Sequence, residues 1–339
     1  MSHGSKRLNW IDQARGLAIF MVVYGHNFPS IEPYIYSVHV PLFFLISGIF
    51  QPAVVSSQQW IRRVKQLLIP YFFWATALFL FWWTVGRKFG KSSTQDLSVV
   101  DNFMGVFYAQ GGPEYMDWGI PLWFLPCIFL VFLLHAGITR FIKTKSQSIL
   151  VLILGFLGVL WAKVTDIHLP WSIDVAMVAL LFFHGGYVLK NNLKSATETP
   201  QWGLIMLLFG LHITAFYFNP EKVDMYRSIY GVPLLFLISG FTGALAYLML
   251  FKKLSEFGLS KIFKPLVYLG QNTVVILATH LRALTLIKAL LFMVLGWGVF
   301  EFTEPEKFLL AWVQIALLMP VIYLINRYAP ILNGKNATR

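Results

Sequence analysis

The sequence predicts an all-α fold, a polytopic transmembrane bundle of about ten helices with both termini in the cytoplasm. Three observations carry this. The chain of 339 residues is 57% hydrophobic, 17% aromatic and only 12% charged, with a mean hydropathy of +0.66, which is not the balance of a water-soluble domain. Apolar runs long enough to span a bilayer recur along its whole length, and at about 20 residues each, ten of them take up roughly 200 residues. Finally, basic residues gather in alternate connections, as the positive-inside rule requires of cytoplasmic segments.

The runs lie near 10–29, 39–56, 67–86, 120–139, 147–163, 171–189, 201–219, 229–251, 265–287 and 308–326. Lys6 and Arg7 precede the first, but no small-residue cleavage site follows it and Asn9, Asp12 and Arg15 interrupt its start, so it is expected to be a retained helix rather than a signal peptide. The longest polar connection, from Arg87 to Gly119, falls outside and holds a Gly-Gly-Pro turn at 111–113; it is either a cover for an outer cavity or a plain loop. PLFFLISG at 41–48 and PLLFLISG at 233–240 match at seven of eight positions, which Leu/Phe-rich helices can reach by chance. What is left over, roughly 140 residues, is loops and tails, so a single membrane domain with no appended soluble domain is expected.

Lys and Arg total 27 against 15 Asp and Glu, a net charge of +12. In a soluble chain that excess would suggest nucleic acid; here the excess lies mostly in the predicted inner segments, including Arg62, Arg63, Arg140, Lys143, Lys252, Lys253 and Arg339, and no nucleic-acid partner is expected. Cys127 is the only cysteine, so an intrachain disulfide and a cysteine zinc cluster are excluded, and no metal site is expected.

Ionisable groups at membrane depth are costly and mark functional sites unless they are satisfied structurally. Arg15 and His26 are eleven residues apart, about three helical turns plus 20 degrees, which puts them on one face roughly 16 Å apart. Asp12, one turn before Arg15, is placed to pair with it. His39 falls at the outer end of the second run; Ser47 and Gly48 lie at mid-membrane, where small residues commonly serve close helix packing, and no nucleophile elbow surrounds Ser47. Counted at about 1.5 Å per residue, His26 and His280 reach similar depths in the outer half, near the outer ends that carry His39, Trp123 and Asp174. Trp123 there is equally explained by an aromatic belt. Arg62, Arg63 and Lys65 precede the third run; they serve either as a phosphate site at a helix start or as ordinary positive-inside charge. Arg282 and Lys288 lie deeper than topology requires, and either pair with a carboxylate or snorkel outward.

The opening LNWIDQARGLAIFMVVYGH resembles the first helix of the integral-membrane acyltransferase type 3 family, whose signature of Arg or Lys, ten residues, then His falls here on Arg15 and His26. YSVHVPLFFLISGIF, with His39 and Ser47, is similar to the fucose 4-O-acetylase-like branch, as are PLWFLPCIF around Trp123, WSIDVAMVALLFFHGGYVL around Asp174, and LGQNTVVILATH with Asn272 and His280. The resemblance runs over roughly residues 8–290 and departs at Gln66, where the family often carries Arg before the Leu-x-x-Pro of the third helix.

It implies transfer of an acyl group, usually acetyl from acetyl-CoA as co-substrate with no permanently bound cofactor, to a sugar hydroxyl of a surface or secreted glycan or its lipid-linked precursor, in a bacterial inner membrane. His26 and Arg15 would be the essential pair, with His26 as general base and Arg15 guiding pantetheine or phosphate. His39, Ser47, Trp123, Asp174, Asn272 and His280 would support the acceptor or the active site, and Arg62, Arg63 and Lys65 would contact the CoA phosphates. A covalent acyl-His intermediate stays open. So do succinyl or another acyl group as the cargo, and a non-enzymatic lipid or glycan transporter.

Overall fold

The computed structural model describes residues 8–88, 93, 96–196, 201–258, 262–297 and 300–335; for 191–196 it describes the backbone alone. Of the basic residues expected inside, Lys6, Arg7, Lys261 and Arg339 lie outside the described residues. Among the described residues the fold is 80% helical, with no strands. Its helices are α1 (Asn9–Gly25), α2 (Glu32–Ile49), α3 (Ser57–Arg63), α4 (Ile69–Thr84), α5 (Val99–Tyr108), α6 (Pro113–Met116), α7 (Phe124–Phe141), α8 (Thr144–Val164), α9 (Ile173–Ala196), α10 (Trp202–Tyr217), α11 (Pro233–Glu256), α12 (Lys264–Gly270), α13 (Thr273–Leu295) and α14 (Glu304–Tyr328).

Seven helical segments among the described residues are long and apolar enough to cross a membrane by themselves. Outward faces are apolar: α8 exposes Ile149, Leu152, Ile153 and Phe156, α14 exposes Leu309 and Leu324, and the shorter apolar helix α10 exposes Met206 and Leu207. Such faces are stable against lipid and not against water. The helices that carry Arg15, His26 and His39, α1 and α2, are instead enclosed, with Ala14, Ala18, Val23, Val38, Leu42 and Ile46 fully buried. Their polar residues therefore face protein and cavity rather than hydrocarbon, as intramembrane polar groups must.

Four differences from expectation bear on the site. α1 ends at Gly25 rather than near 29, and His26 is its C-cap residue. α2 begins at Glu32, not 39, because Pro33 occupies the first turn, where its missing N–H costs nothing. His39 is consequently two turns inside α2 and buried, not at an outer interface. The third expected run is preceded by α3, capped by a reciprocal Ser56–Gln59 capping box, and joined to it through a π-helical turn at Val64–Leu68. The ninth is not one helix: it breaks at Gln271–Asn272 into α12 and α13.

That break is set by packing. Gly270 lies against the Asp12 carbonyl and Gly16 against the Leu266 carbonyl, so a side-chain carbon at either position would overlap the other helix's backbone. Two glycines thus let α1 and α12 cross at backbone contact. The broken end leaves Gln271, Thr273 and Val274 facing inward. After α14 the chain turns through a short 3-10 helix, Pro330–Asn333, and Gly334, at φ +66, directs Lys335 back into the bundle.

The long connection carries α5, α6 and a 3-10 turn, Ile120–Trp123, leading into α7. Gly111, at φ +94, packs against both Trp123 and Tyr226, so the connection closes over an inner space rather than looping free.

Candidate active site

A cavity of about 580 Å³ runs through the bundle. α1 contributes Arg15, Ile19, Val22 and His26, and α2 contributes Tyr36, His39, Val40, Phe43 and Ser47. Both sets repeat every three to four residues, the stripe that one helical face presents. Arg15 and His26 therefore share one cavity, three turns apart. At the end nearer Arg15 stand Arg63, Gln66 and Lys335; at the end nearer His26 stand Tyr36, His39 and the loop residues Asp224, Met225 and Tyr226.

Hydrogen bonds fix the histidine tautomers. His26 Nδ1 is 2.7 Å from the Val22 carbonyl, so it donates, and Nε2 keeps the lone pair on a ring that lines the cavity. His280 Nδ1 donates to the Ile276 carbonyl at 2.9 Å, which leaves its Nε2 as an acceptor 3.4 Å from His26 Nδ1. The two rings meet edge to face at 4.9 Å between centroids. His280 does not line the cavity; it stands behind His26 and shares the Nδ1 proton with Val22. His39 repeats the pattern, donating Nδ1–H to the Ile35 carbonyl at 2.7 Å. Its Nε2 is therefore an acceptor too. The end of α1 is pinned by Asn27, which donates to the Lys307 carbonyl at 3.0 Å and accepts from Gln314 at 2.9 Å, so α14 holds His26 in place.

At the basic end only Arg63 of the three predicted cations faces the cavity, with its guanidinium 5.2 Å from the Phe132 ring centre. Arg62 and Lys65 are exposed on the outside of the same turn. The helical period explains the split: Arg62, one residue before Arg63, is rotated about 100 degrees away from it, and Lys65, two residues after, about 200 degrees. Arg15 rests over Phe50 at 5.3 Å. Asp12 is buried and accepts from Gln271 Nε2 at 3.3 Å, tying α1 to the helix break.

The remaining predicted residues divide between cavity and support. Trp123 and Ser47 line the cavity; the Ser47 hydroxyl donates to the Phe43 carbonyl at 2.8 Å. Asn272 and Asp174 do not line it. Asn272 Oδ1 accepts from Asn326, Asn333 and Lys335 at 2.8, 2.8 and 2.9 Å, which anchors the returning C-terminal segment. Asp174, 1% exposed, accepts from Ser228 at 2.9 Å and from the Leu169 N–H at 3.3 Å, and lies 3.3 Å from His168 Nδ1. It holds the loop that carries Asp224 and Tyr226. Arg282 donates to the Trp118 carbonyl at 2.9 Å beside Asp117 and so holds the segment that leads to Trp123.

Tyr36, Asp224, Tyr226, Gln271, Asn333 and Lys335 escaped the sequence reading. The Asn-Gly pair at 333–334 was a turn signal that marked the returning tail. Nothing local distinguishes Asp224 from any loop carboxylate. Among the described residues no group of three or more His, Cys, Asp or Glu is arranged to hold a metal ion.

Apolar helices around a cavity that presents arginine at one end and histidine at the other are the architecture of a multi-pass membrane protein. The chain belongs to the acyltransferase type 3 family: residues 8–326 match its model, described as an acyltransferase domain. It is a membrane acyltransferase. No curated protein and no solved structure gives a significant match.

Proposed function

We propose that this protein moves an acetyl group from acetyl-CoA to a sugar hydroxyl of a surface or secreted glycan, or of its lipid-linked precursor, across the thickness of a bacterial inner membrane. The observation that carries the reading is the single cavity that joins Arg15, Arg63 and Lys335 at one end to a histidine with a free Nε2 at the other. The basic end matches the cytoplasmic side by the charge rule and suits the phosphates of CoA. The His39-Val-Pro-Leu-Phe-Phe and Ser47-Gly48 pattern supports the fucose 4-O-acetylase-like branch.

In this reading Arg63, Arg15 and Lys335 hold the donor so that its pantetheine arm points up the Arg15–His26 face. His26 Nε2 takes the proton of the acceptor hydroxyl while the oxygen attacks the thioester carbonyl. As the carbon–sulfur bond breaks, the same proton passes from His26 to the departing sulfur, so the transfer closes with an ester and free thiol. The imidazolium formed in between is stabilised because its Nδ1–H already points at the Val22 carbonyl and at His280 Nε2. His39, whose Nε2 accepts, orients an acceptor hydroxyl and is not suited to donate to an oxyanion in this tautomer. His280, behind His26, is likewise a positioning residue.

A transporter would use a similar cavity, and the broken ninth helix is a feature of transporters, but family membership favours acyl transfer. The test is the O-acetyl content of the producing cell's surface glycan, by NMR, in a deletion strain complemented with wild type or with equally expressed His26→Ala. Restoration by wild type and not by the variant supports the reading. Restoration by both removes His26 from the chemistry, and altered glycan export with unchanged acylation favours transport. A succinyl signal in place of acetyl would keep the chemistry and change the donor.

A further inference from the structure

The cavity's outer end is built from a loop with its own internal frame. Asp224 and Ile229 exchange both backbone hydrogen bonds, at 2.9 and 3.0 Å, closing the 3-10 turn Met225–Arg227 into a small ring. Ser228, at φ +56, donates to the buried Asp174, and Asn219 ties the loop's two ends by bonding the Tyr230 carbonyl and the Val232 N–H. On the other side Lys222 pairs with Glu32 of α2 at 2.7 Å and sits 4.2 Å from the Tyr36 ring centre. The loop is thus closed on itself and fastened to α2 and α9, and it delivers Asp224 to the cavity wall in a fixed position.

Asp224 is 9% exposed and lines the cavity, yet among the described residues no side-chain hydrogen bond satisfies its carboxylate, while the neighbouring Lys222 is engaged with Glu32 and Tyr36. A buried carboxylate without donors is costly, and such groups are retained where a ligand supplies the donors. An ionised carboxylate only accepts, so its partner must bring hydroxyl or ammonium hydrogens, and it repels phosphate or carboxylate. Around it stand Tyr36, Tyr226 and Trp123, flat amphipathic faces with polar edges. A carboxylate set among aromatic faces fits a six-membered ring that has one apolar face and hydroxyls at its rim.

Resting on the acyl-transfer reading above, we infer that Asp224, with Tyr36, Tyr226 and Trp123, forms the acceptor subsite, in which the carboxylate accepts two neighbouring hydroxyls of one sugar ring and thereby presents a third hydroxyl to His26. The subsite selects a polyol ring that is neutral or carries an amine, and it disfavours a ring with a carboxylate beside the bound hydroxyls. It also assigns Asp174 a purpose: Asp174 holds Ser228 and so the ring of backbone that aims Asp224.

The test uses the purified full chain in detergent, labelled acetyl-CoA, and the producing cell's surface glycan stripped of its esters by mild alkali. Apparent KM is measured for each substrate with wild type, Asp224→Asn, Asp224→Ala and Asp224→Glu, with His26→Ala as the inactive control. Loss of a charge-assisted hydrogen bond predicts that KM for the glycan rises about tenfold or more in the Asn and Ala variants, while KM for acetyl-CoA stays within about twofold and Glu recovers part of the loss. An unchanged glycan KM overturns the subsite, and so does an equal rise in both KM values. Variants that elute aggregated are replaced by Tyr226→Ala and Tyr36→Ala, for which the same split between the two KM values is expected. If wild type transfers no label, or His26→Ala transfers as much as wild type, the acyl-transfer reading falls and takes the subsite with it; if wild type transfers and only the Asp224 effect is missing, the subsite alone falls.

Discussion

His26 does its proposed work through atoms that the fold assigns before any substrate arrives. Its Nδ1–H is committed to Val22 and shared with His280, so the lone pair on Nε2 is the one available to a hydroxyl. His26→Ala is expected to lower acyl transfer by about 10²–10⁴-fold, the range for losing a general base, with the protein still monodisperse in detergent. His280→Ala should lower kcat with little change in either KM, and His280→Gln, which keeps an acceptor near Nδ1, should recover part of it; an effect on stability alone would show as loss of folded protein with normal kcat. Asp224 adds a pH signature. Burial pushes its carboxyl up to about 6, against the pull of Lys222 and Arg227 and with Glu32 of α2 reinforcing the rise. Tyr36 of α2 and Tyr226 of the same loop also face this end of the cavity. The bound form is the carboxylate, so KM for the glycan should climb as pH falls through about 6 and level off above it, a limb that Asp224→Asn should lack. A glycan KM flat across that range in wild type would contradict it.

Elements decide which of the sequence's polar residues meet. The eleven-residue spacing of Arg15 and His26 was legible because one unbroken helix carries both, and helical period converts spacing into a shared face. At 62–65 three cations stand close together in the sequence, and the turn of the helix brings only Arg63 to the cavity. Arg63→Ala should raise KM for acetyl-CoA about tenfold, the loss of one charged contact, while Arg62→Ala and Lys65→Ala should not. Equal effects from all three would point to general surface charge. The start of α2 and the break between α12 and α13 were not legible from apolar runs alone: Pro33 moves the first, and the second depends on Gly270 meeting Asp12 from a distant helix. Gly270→Val would force a side chain into the α1 backbone and is expected to reduce the yield of folded protein sharply, measured by fluorescence-detected size exclusion; yield equal to wild type would mean that α1 and α12 do not cross at this contact.

At the scale of the molecule, the bundle encloses α1 and α2, which carry Arg15, His26 and His39, and turns apolar faces of α8, α10 and α14 outward. The all-helical membrane class follows from composition, because 57% hydrophobic residues cannot be hidden inside a soluble chain of this size. What composition does not reveal is how distant segments close one cavity. Asp224 arrives on a loop between α10 and α11, and Lys335 on a tail after α14; each reaches the wall only because partners far away in sequence, Asp174 for one and Asn272 for the other, hold its neighbours or itself. The site was therefore readable where one helix carries it and invisible where tertiary hydrogen bonds assemble it.

In the proposed reaction one cavity holds the donor at its basic end with the acyl group beside His26. This placement is tested most directly by determining the structure with acetyl-CoA's carba analogue, in which carbon replaces the thioester sulfur, bound to the full chain. The account predicts CoA phosphates against Arg63 and Lys335, with the acetyl carbonyl carbon next to His26 Nε2. An analogue seated outside the cavity, or one whose acetyl group lies away from His26, would contradict it.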